Sequence, residues 1–243
     1  MAGIKTYIIA GILGLITTAS FGQMTSGRIV YERKTNLKKL FKDNDRVKRF
    51  LSEDVKSKIE NFELLFDDSL SAFKPIEGDE VEQGFMRFLT SHNTVYRNTS
   101  KNEKILILDM WGTTTYVKDS ITDRQWKVTD SKRKIAGYLC RKAMWEMNDS
   151  TRIYAWFSTD LVPSIGPEGF GGLPGTILGL ANEEGSIIYF AKEVQLMKPN
   201  APALNFDTKG KEIFTTESLK KTLQEKMGQW LKEGDLEGMF SWL

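Results

Sequence analysis

The 243-residue chain holds one histidine and one cysteine, so nucleophilic and general-base chemistry has few places to sit. His92 lies in the polar stretch Thr90-Ser91-His92-Asn93. A serine triad would need a nucleophile beside it, and no Gly-x-Ser-x-Gly elbow occurs. Cys140 falls in a run that reads as strand, which buries it as a small apolar side chain. A Cys140–His92 pair is the arithmetic alternative. One cysteine and one histidine do not make a tetrahedral zinc site. Met110-Trp111 and Met144-Trp145-Glu146-Met147 place thioethers beside indoles, a set that suits Cu(I). In a strand Met144 and Met147 face opposite sides unless a bulge intervenes, and ordinary core is the simpler reading. The residues therefore assign no catalytic group, metal or cofactor, and an enzyme of unrecognised type is kept as the last alternative.

A second chemical feature is the stretch from Pro163 to Gly175, with Gly166, Gly169, Gly171, Gly172 and Gly175 and with Pro167 and Pro174 inside. Pro174-Gly175 fits the centre of a type II turn feeding a strand at Thr176. The plain reading is a loop that closes one end of a sheet, with Phe170 and Leu173 plugging the core. The functional reading is the lip of a binding site. A phosphate-cradling loop is excluded, because no Gly-Lys-Ser/Thr follows and the loop enters a strand.

The elements that must position these residues are mostly strands. Arg28–Lys34, Phe62–Phe66 and Ser71–Phe73 read as strands, with a polar turn at Asp67-Asp68-Ser69. Further candidates are Thr94–Arg97, Lys104–Met110, Thr114–Val117, Trp126–Val128, Gly137–Trp145, Arg152–Ser158, Thr176–Ala181 and Ile187–Met197, rich in β-branched and aromatic residues. Short polar links between them favour antiparallel neighbours. In the last strand, alternation puts Ile188, Phe190, Val194 and Leu196 on one apolar side. Val47, Phe50, Leu51, Val55 and Ile59 recur at steps of three and four, which predicts a helix over 45–62. Leu219, Leu223, Met227, Trp230 and Leu231 predict a C-terminal helix, capped by Thr215 or Thr216 and ended by Gly234.

The ends and the composition bound the setting. Lys5, the apolar run Tyr7–Ile16 and Ser20-Phe21-Gly22 have the layout of a secretory signal, which predicts a leader over 1–22 and one domain over 23–243. The apolar run is shorter than the roughly 20 residues a bilayer needs, so no spanning segment remains after its removal. No cysteine follows it, so lipid attachment there is not expected, and a periplasmic or extracellular location is. With 34 basic and 32 acidic residues, no charge excess argues for nucleic acid.

The segment from Lys134 to Leu178 carries a resemblance. It contains Gly137-Tyr138-Leu139-Cys140, then Tyr154-Ala155-Trp156-Phe157-Ser158-Thr159-Asp160-Leu161-Val162-Pro163, then Phe170-Gly171-Gly172-Leu173-Pro174-Gly175-Thr176-Ile177-Leu178. The chain resembles the GLPGLI family of exported Bacteroidota proteins from its leader to about Met197. Thr176 stands where the family name has leucine. The family supplies no settled activity. A more distant similarity to lipoprotein-carrier-like half-barrel domains implies a curved antiparallel sheet.

The expected fold is thus α+β: a curved, half-barrel-like antiparallel sheet with a helix from the N-terminal region and a C-terminal helix packed on it. The expected function is a non-enzymatic binding or chaperone-like protein for an apolar small molecule or peptide. Its ligand face would carry Trp111, Tyr138, Trp156, Phe170 and Leu173 beside the motif loop Gly172-Leu173-Pro174-Gly175. The alternative is an interaction module that meets an envelope partner through a sheet edge or the apolar tail Met239, Phe240, Trp242 and Leu243.

Overall fold

Alternation sets the architecture from the first strand. In β1 (Gly27–Asn36), Ile29, Tyr31, Arg33 and Thr35 are buried, while the residues between them are more open. That period of two marks a strand with one covered face. The structure, a computed structural model, describes residues 25–49, 51, 57–76, 78, 89–110, 112–148 and 151–227. The expected leader, Trp111 and the apolar C-terminal tail lie outside the described residues.

After β1 come α1 (Leu37–Leu40), α2 (Asp45–Lys48), β2 (Ser57–Phe66), β3 (Leu70–Pro75), β4 (Thr94–Asn98), β5 (Glu103–Met110) and β6 (Thr113–Ser120). Then follow β7 (Lys127–Ile135), β8 (Tyr138–Asn148), β9 (Thr151–Ser158), β10 (Thr176–Asn182), β11 (Ile187–Leu196), α3 (Ala201–Leu204), β12 (Ile213–Phe214) and α4 (Thr216–Met227). Among the described residues, the strands form one open, curved sheet in the order β12-β6-β5-β4-β3-β2-β1-β11-β10-β9-β8-β7. All its pairs are antiparallel except β12 with β6. With so few helices the fold is nearly all-β, and the α+β expectation holds only coarsely. No described helix is long and apolar enough to cross a membrane.

Cross-strand partners share a face, so the register defines what the interior contains. An apolar row runs Val194–Ile29–Leu64–Phe73–Val95–Leu106–Val117 from β11 to β6. Beside it Phe62 and Tyr31 are opposite one another, and the Phe62 ring stacks on Phe73 at 5.1 Å. Polar rows flank this band on the same face. On one side Glu60, Arg33 and Tyr189 are in register, with Lys58 and Thr35 beyond them. On the other side Ser71, Arg97, Lys104 and Asp119 are in register.

Two expectations need correction. The helix over 45–62 is not formed: α2 ends at Lys48, and Ser57–Phe66 is strand. That segment pairs with β1 along its whole length, which places Glu60, Phe62, Leu64 and Phe66 inward at a period of two. Ile59, part of the apparent helical stripe, is 61% exposed. In β11, simple alternation fails at a bulge. Val30 pairs with Glu193 and Tyr31 with Ala191, leaving Lys192 over. Tyr189 and Ala191 face the core, and the bulge hands that face to Val194.

The C-terminal part wraps round the β6 edge. Leu204 packs on Leu65 and Ala72, on the outer face, and the Phe206 ring lies 5.5 Å from Tyr96 and 5.4 Å from Tyr116. After β12, α4 turns Leu219 and Leu223 into the main core. Thr215 caps α4 as expected: its Oγ1 accepts from Ser218 N at 3.1 Å, and Ser218 Oγ accepts from Thr215 N at 2.9 Å. Asp119 adds an acceptor for Thr216 Oγ1 at 2.6 Å. Gly234 lies outside the described residues.

The strand register yields a direct contrast. Phe62→Ala should cost about 3–5 kcal/mol in equilibrium denaturant unfolding, as for a large core truncation. Ile59→Ala should stay within about 0.5 kcal/mol. Equal losses would contradict the register of β2.

Candidate functional site

The glycine-rich stretch between β9 and β10 crosses the inner face. Pro167–Gly169 makes a single 3-10 turn in which Glu168 takes φ +52°, a left-handed conformation that is uncommon for a residue other than glycine. The result is an acid pointed inward, 4% exposed. Pro174-Gly175 does not make the expected type II turn. Gly175 N donates to Leu173 O at 2.8 Å across Pro174 alone, while Thr176 N donates to Leu161 O at 2.9 Å. Gly175 has φ +142°, and a Cβ there would lie 2.1 Å from Ser158 O, so the close approach to β9 requires glycine. Thr176 contributes a hydroxyl that donates to Pro163 O at 2.8 Å, tying the loop's two ends together.

Glu168 enters the first polar row. Its Oε1 accepts from the Tyr189 hydroxyl and lies 3.8 Å from Arg33 Nη1. Arg33 also donates to Tyr189 OH at 3.2 Å and from Nη2 to Glu60 Oε2 at 2.6 Å, with its guanidinium 4.5 Å from the Phe62 ring centre. Glu60 Oε1 gathers the remaining donors. Thr90 Oγ1 donates to it at 2.9 Å, Lys58 Nζ lies 3.0 Å away and His92 Nε2 lies 2.6 Å away. Burial by itself would raise Glu60, but the His92 hydrogen bond and the charge and hydrogen bonds of Arg33 hold it well below the usual carboxylate range. An ionised carboxylate only accepts, so Nε2 of His92 carries the proton. For Glu168 burial wins: it raises the carboxyl despite Arg33 and Tyr189.

The other flank is cationic. Arg97 Nη1 donates to Phe170 O at 3.1 Å and Ser164 O at 3.2 Å, holding the loop from below. Trp126 Nε1 donates to Gly171 O at 2.9 Å. The Arg124 guanidinium sits 4.2 Å from the Phe170 ring centre and 5.3 Å from Trp145. Burial lowers Arg97 to about 10, and burial with the charge of Arg97 lowers Arg124 to about 10. Burial and then Arg124 push Lys104 down to about 8, with Asp119 pulling the other way.

The residues singled out from sequence fall in different places. Phe170 and Leu173 are buried, 1% and 2% exposed, as plugs of the core. Phe170 meets the Trp126 and Trp145 rings, at 6.4 and 6.3 Å. Trp156 is half-buried beneath the Arg133 guanidinium at 5.1 Å, which also covers Phe190 at 5.0 Å. Tyr138 packs at the edge of the core. The expected ligand face is therefore divided between two ring groups. Cys140 is buried, and burial pushes its thiol up to about 11, while His92 is engaged by Glu60. A bulge does fall at Met147, between the pairs Glu146–Arg152 and Asn148–Thr151, and the neighbouring Trp145 is spent on the ring cluster. Among the described residues no group of three or more His, Cys, Asp or Glu side chains is placed to hold a metal ion.

Sequence reasoning missed Arg33, Glu60, Arg97, Lys104, Arg124 and Glu168. The available signal was parity. Arg33 shares a face with Ile29 and Tyr31, Arg97 with Val95, and Lys104 with Leu106 and Leu108. A charge on the apolar side of a strand is the anomaly worth following.

A scan against known protein families finds no match, and neither does a search of curated proteins. Solved structures do match. PNGF-II in a C2 crystal form aligns at TM-score 0.52 and 18% identity, over 83% of this chain and 33% of that one. PNGF-II in a P21 form aligns at 0.56 and 16%, over 83% and 34%. The chain spans about a third of the length of PNGF-II, and the likeness is one of fold. An uncharacterized conserved protein from Thermus thermophilus aligns at 0.41 and 7% identity, over 79% of this chain and 91% of that one, too distant to carry an argument.

The two acids have opposite pH signatures. Glu60 is depressed, so its contribution is present above the usual carboxylate range and is lost as pH falls towards its folded value. Glu168 is raised, so its contribution grows as pH falls through that raised value towards the usual range. The melting temperature of wild type relative to Glu168→Gln should therefore rise on mild acidification, and a constant difference would contradict the burial of an ionisable Glu168. Arg33→Met strands both acids and should cost about 3–5 kcal/mol in denaturant unfolding.

Proposed function

We propose that this is an exported, non-enzymatic binding or chaperone-like protein of the GLPGLI type, whose apolar ligand or peptide docks where the glycine-rich loop crosses the open sheet. The observation that supports this most is the aromatic cluster in which that loop takes part. Trp126, Trp145 and Phe170 form a ring cluster with the Arg124 guanidinium laid on it, and the loop is fastened above by hydrogen bonds from Arg97 and Trp126 to its carbonyls. Two open surface depressions, of about 480 and 510 Å³, fit the reading less well. Charged and polar residues line most of both: Lys38, Lys39, Lys42 and Glu184 in one, Lys101, Glu103, Lys118 and Asp119 in the other.

A second reading, an interaction module, draws support from the comparisons. The same fold occupies about a third of the PNGF-II chain, so it also exists as one part of a longer polypeptide. The outermost strand β7 offers an edge, but its bulge and Lys132-Arg133-Lys134 are devices that discourage strand addition.

The test is uptake of a fluorescent fatty acid by the full-length mature protein. Trp126→Ala should weaken uptake by about tenfold, the loss of one aromatic contact of about 1.5 kcal/mol, without unfolding the protein. Loss only in Trp156→Ala would move the site to the Arg133–Phe190 group. Absence of uptake in wild type would refute the carrier reading and favour the interaction module.

A further inference from the structure

Among the described residues, the two edges of the sheet are finished differently. One ends in the two-residue β12, with α4 packed against it. The other is β7, exposed from Lys127 to Lys134 apart from the half-buried Thr129. The hairpin joining β7 to β8 fixes which way the backbone of β7 points. Ala136 and Gly137 both take positive φ between the paired residues Ile135 and Tyr138, which makes a two-residue turn of type I′. Ile135–Tyr138 is then a hydrogen-bonded pair, and so is Arg133–Cys140. The alternate pairs, Lys134–Leu139 and Lys132–Arg141, are not. The N–H and C=O groups of Lys132 and Lys134 therefore point away from β8, towards the open edge. Their side chains are exposed on one face with Arg141, and Lys132 and Arg141 are opposed as like charges. Arg133, on the opposite face, covers Trp156 and Phe190. At the far end of the strand Lys127 has Glu146 at 2.7 Å. Among the described residues no acid pairs with Lys132, Lys134 or Arg141.

We propose that β7 is a docking edge for a short, extended, acidic segment of a partner protein, which pairs with the backbone of Lys132 and Lys134 and sets its carboxylates among Lys132, Lys134 and Arg141. This rests on the interaction reading above and gives that reading its partner's chemistry. Two independent features converge on the same residues: backbone groups that face outward, and a row of cations without counter-ions. In strand addition the main chain supplies affinity and the side chains alongside supply the choice of sequence. The cations that discourage other strands make that choice. A basic strand meets like charges, and so does a second copy of β7, whose own cations would be opposed to these. An acidic strand relieves the opposition of Lys132 and Arg141 and forms charge-assisted hydrogen bonds. The bulge between Val128 and Lys132 limits the paired length, which is why the segment is short.

The experiment measures, by fluorescence anisotropy, binding of the mature protein to labelled peptides of equal length that alternate glutamate with threonine, glutamine with threonine, or glutamate with proline. The Glu–Thr peptide should bind about tenfold or more tightly than the Gln–Thr peptide, the worth of one charge-assisted hydrogen bond. It should exceed the Glu–Pro peptide by about as much, because proline has no N–H to give the edge. Lys132→Glu combined with Lys134→Glu should abolish binding and leave the melting temperature unchanged or higher, since opposed like charges are removed. Lys134→Pro should weaken binding about fivefold more than Lys134→Ala, the worth of one outward hydrogen bond, while the ladder with β8 stays intact. Equal binding of the Glu–Pro peptide would mean charge alone and overturns the proposal. Equal binding of the Gln–Thr peptide overturns the choice of an acidic partner but keeps the edge as the contact of the interaction reading. If no peptide binds, the proposal falls and the interaction reading is left with the apolar tail. Binding to phosphatidylserine vesicles in place of the peptides also overturns it and makes the patch a lipid contact.

Discussion

An acid held inside a β-sheet core organises this protein. Glu168 reaches Arg33 and Tyr189 from a loop, and Arg33 in turn holds Glu60, to which His92, Lys58 and Thr90 attach. An isolated carboxylate could not stay there, since its desolvation costs several kcal/mol. The strands therefore have to deliver Arg33 and Tyr189 opposite each other, and the loop has to bring Glu168 to them. The left-handed backbone at Glu168, set between Gly166 and the left-handed Gly169, is the local geometry that does so. One consequence is that the loop has a unique seat: only one placement meets the acid on one flank and Arg97 on the other.

Between these flanks lies the apolar band. The loop bridges it much as a strap bridges a trough, and Gly169 sits so close to Val95 that a Cβ would approach its Cγ1 to 2.9 Å. The two flanks differ in character. The acid-containing one ties Glu168 and Glu60 to Tyr189, Arg33, Lys58 and Thr90 and fixes the seat of the loop. The cationic one gathers like charges next to aromatic faces.

Much of the sheet was legible in the sequence because β-branched and aromatic runs with polar links speak for themselves, as at Lys104–Met110 or Arg152–Ser158. The turn at Asp67-Asp68-Ser69 was legible too, since Asp67 Oδ1 accepts from Leu70 N at 2.7 Å, as an aspartate at a turn does. Residues 57–62 were not, because their spacing satisfied a helical template and only pairing with β1 decides otherwise. The β11 bulge was invisible for the same reason: register is a property of two strands. The site was the least legible. Arg33 and Glu60 meet across a strand pair, while Glu168 comes from a stretch whose glycines and prolines overshadow the charge in their midst.

The position of β1 has a consequence for how the chain reaches its native state. The first strand among the described residues lies mid-sheet, between β2 and β11, and its second neighbour ends at Leu196. Half of the ladder on β1 therefore stays vacant until Ile187–Leu196 is present, and pairings so distant in sequence form slowly because the intervening loop must first be closed. A polypeptide emerging from its N-terminus would hold an unfinished sheet with an open central edge for most of its synthesis. Such delay leaves a long interval in which the chain is still unfolded and can be threaded or handed to a chaperone.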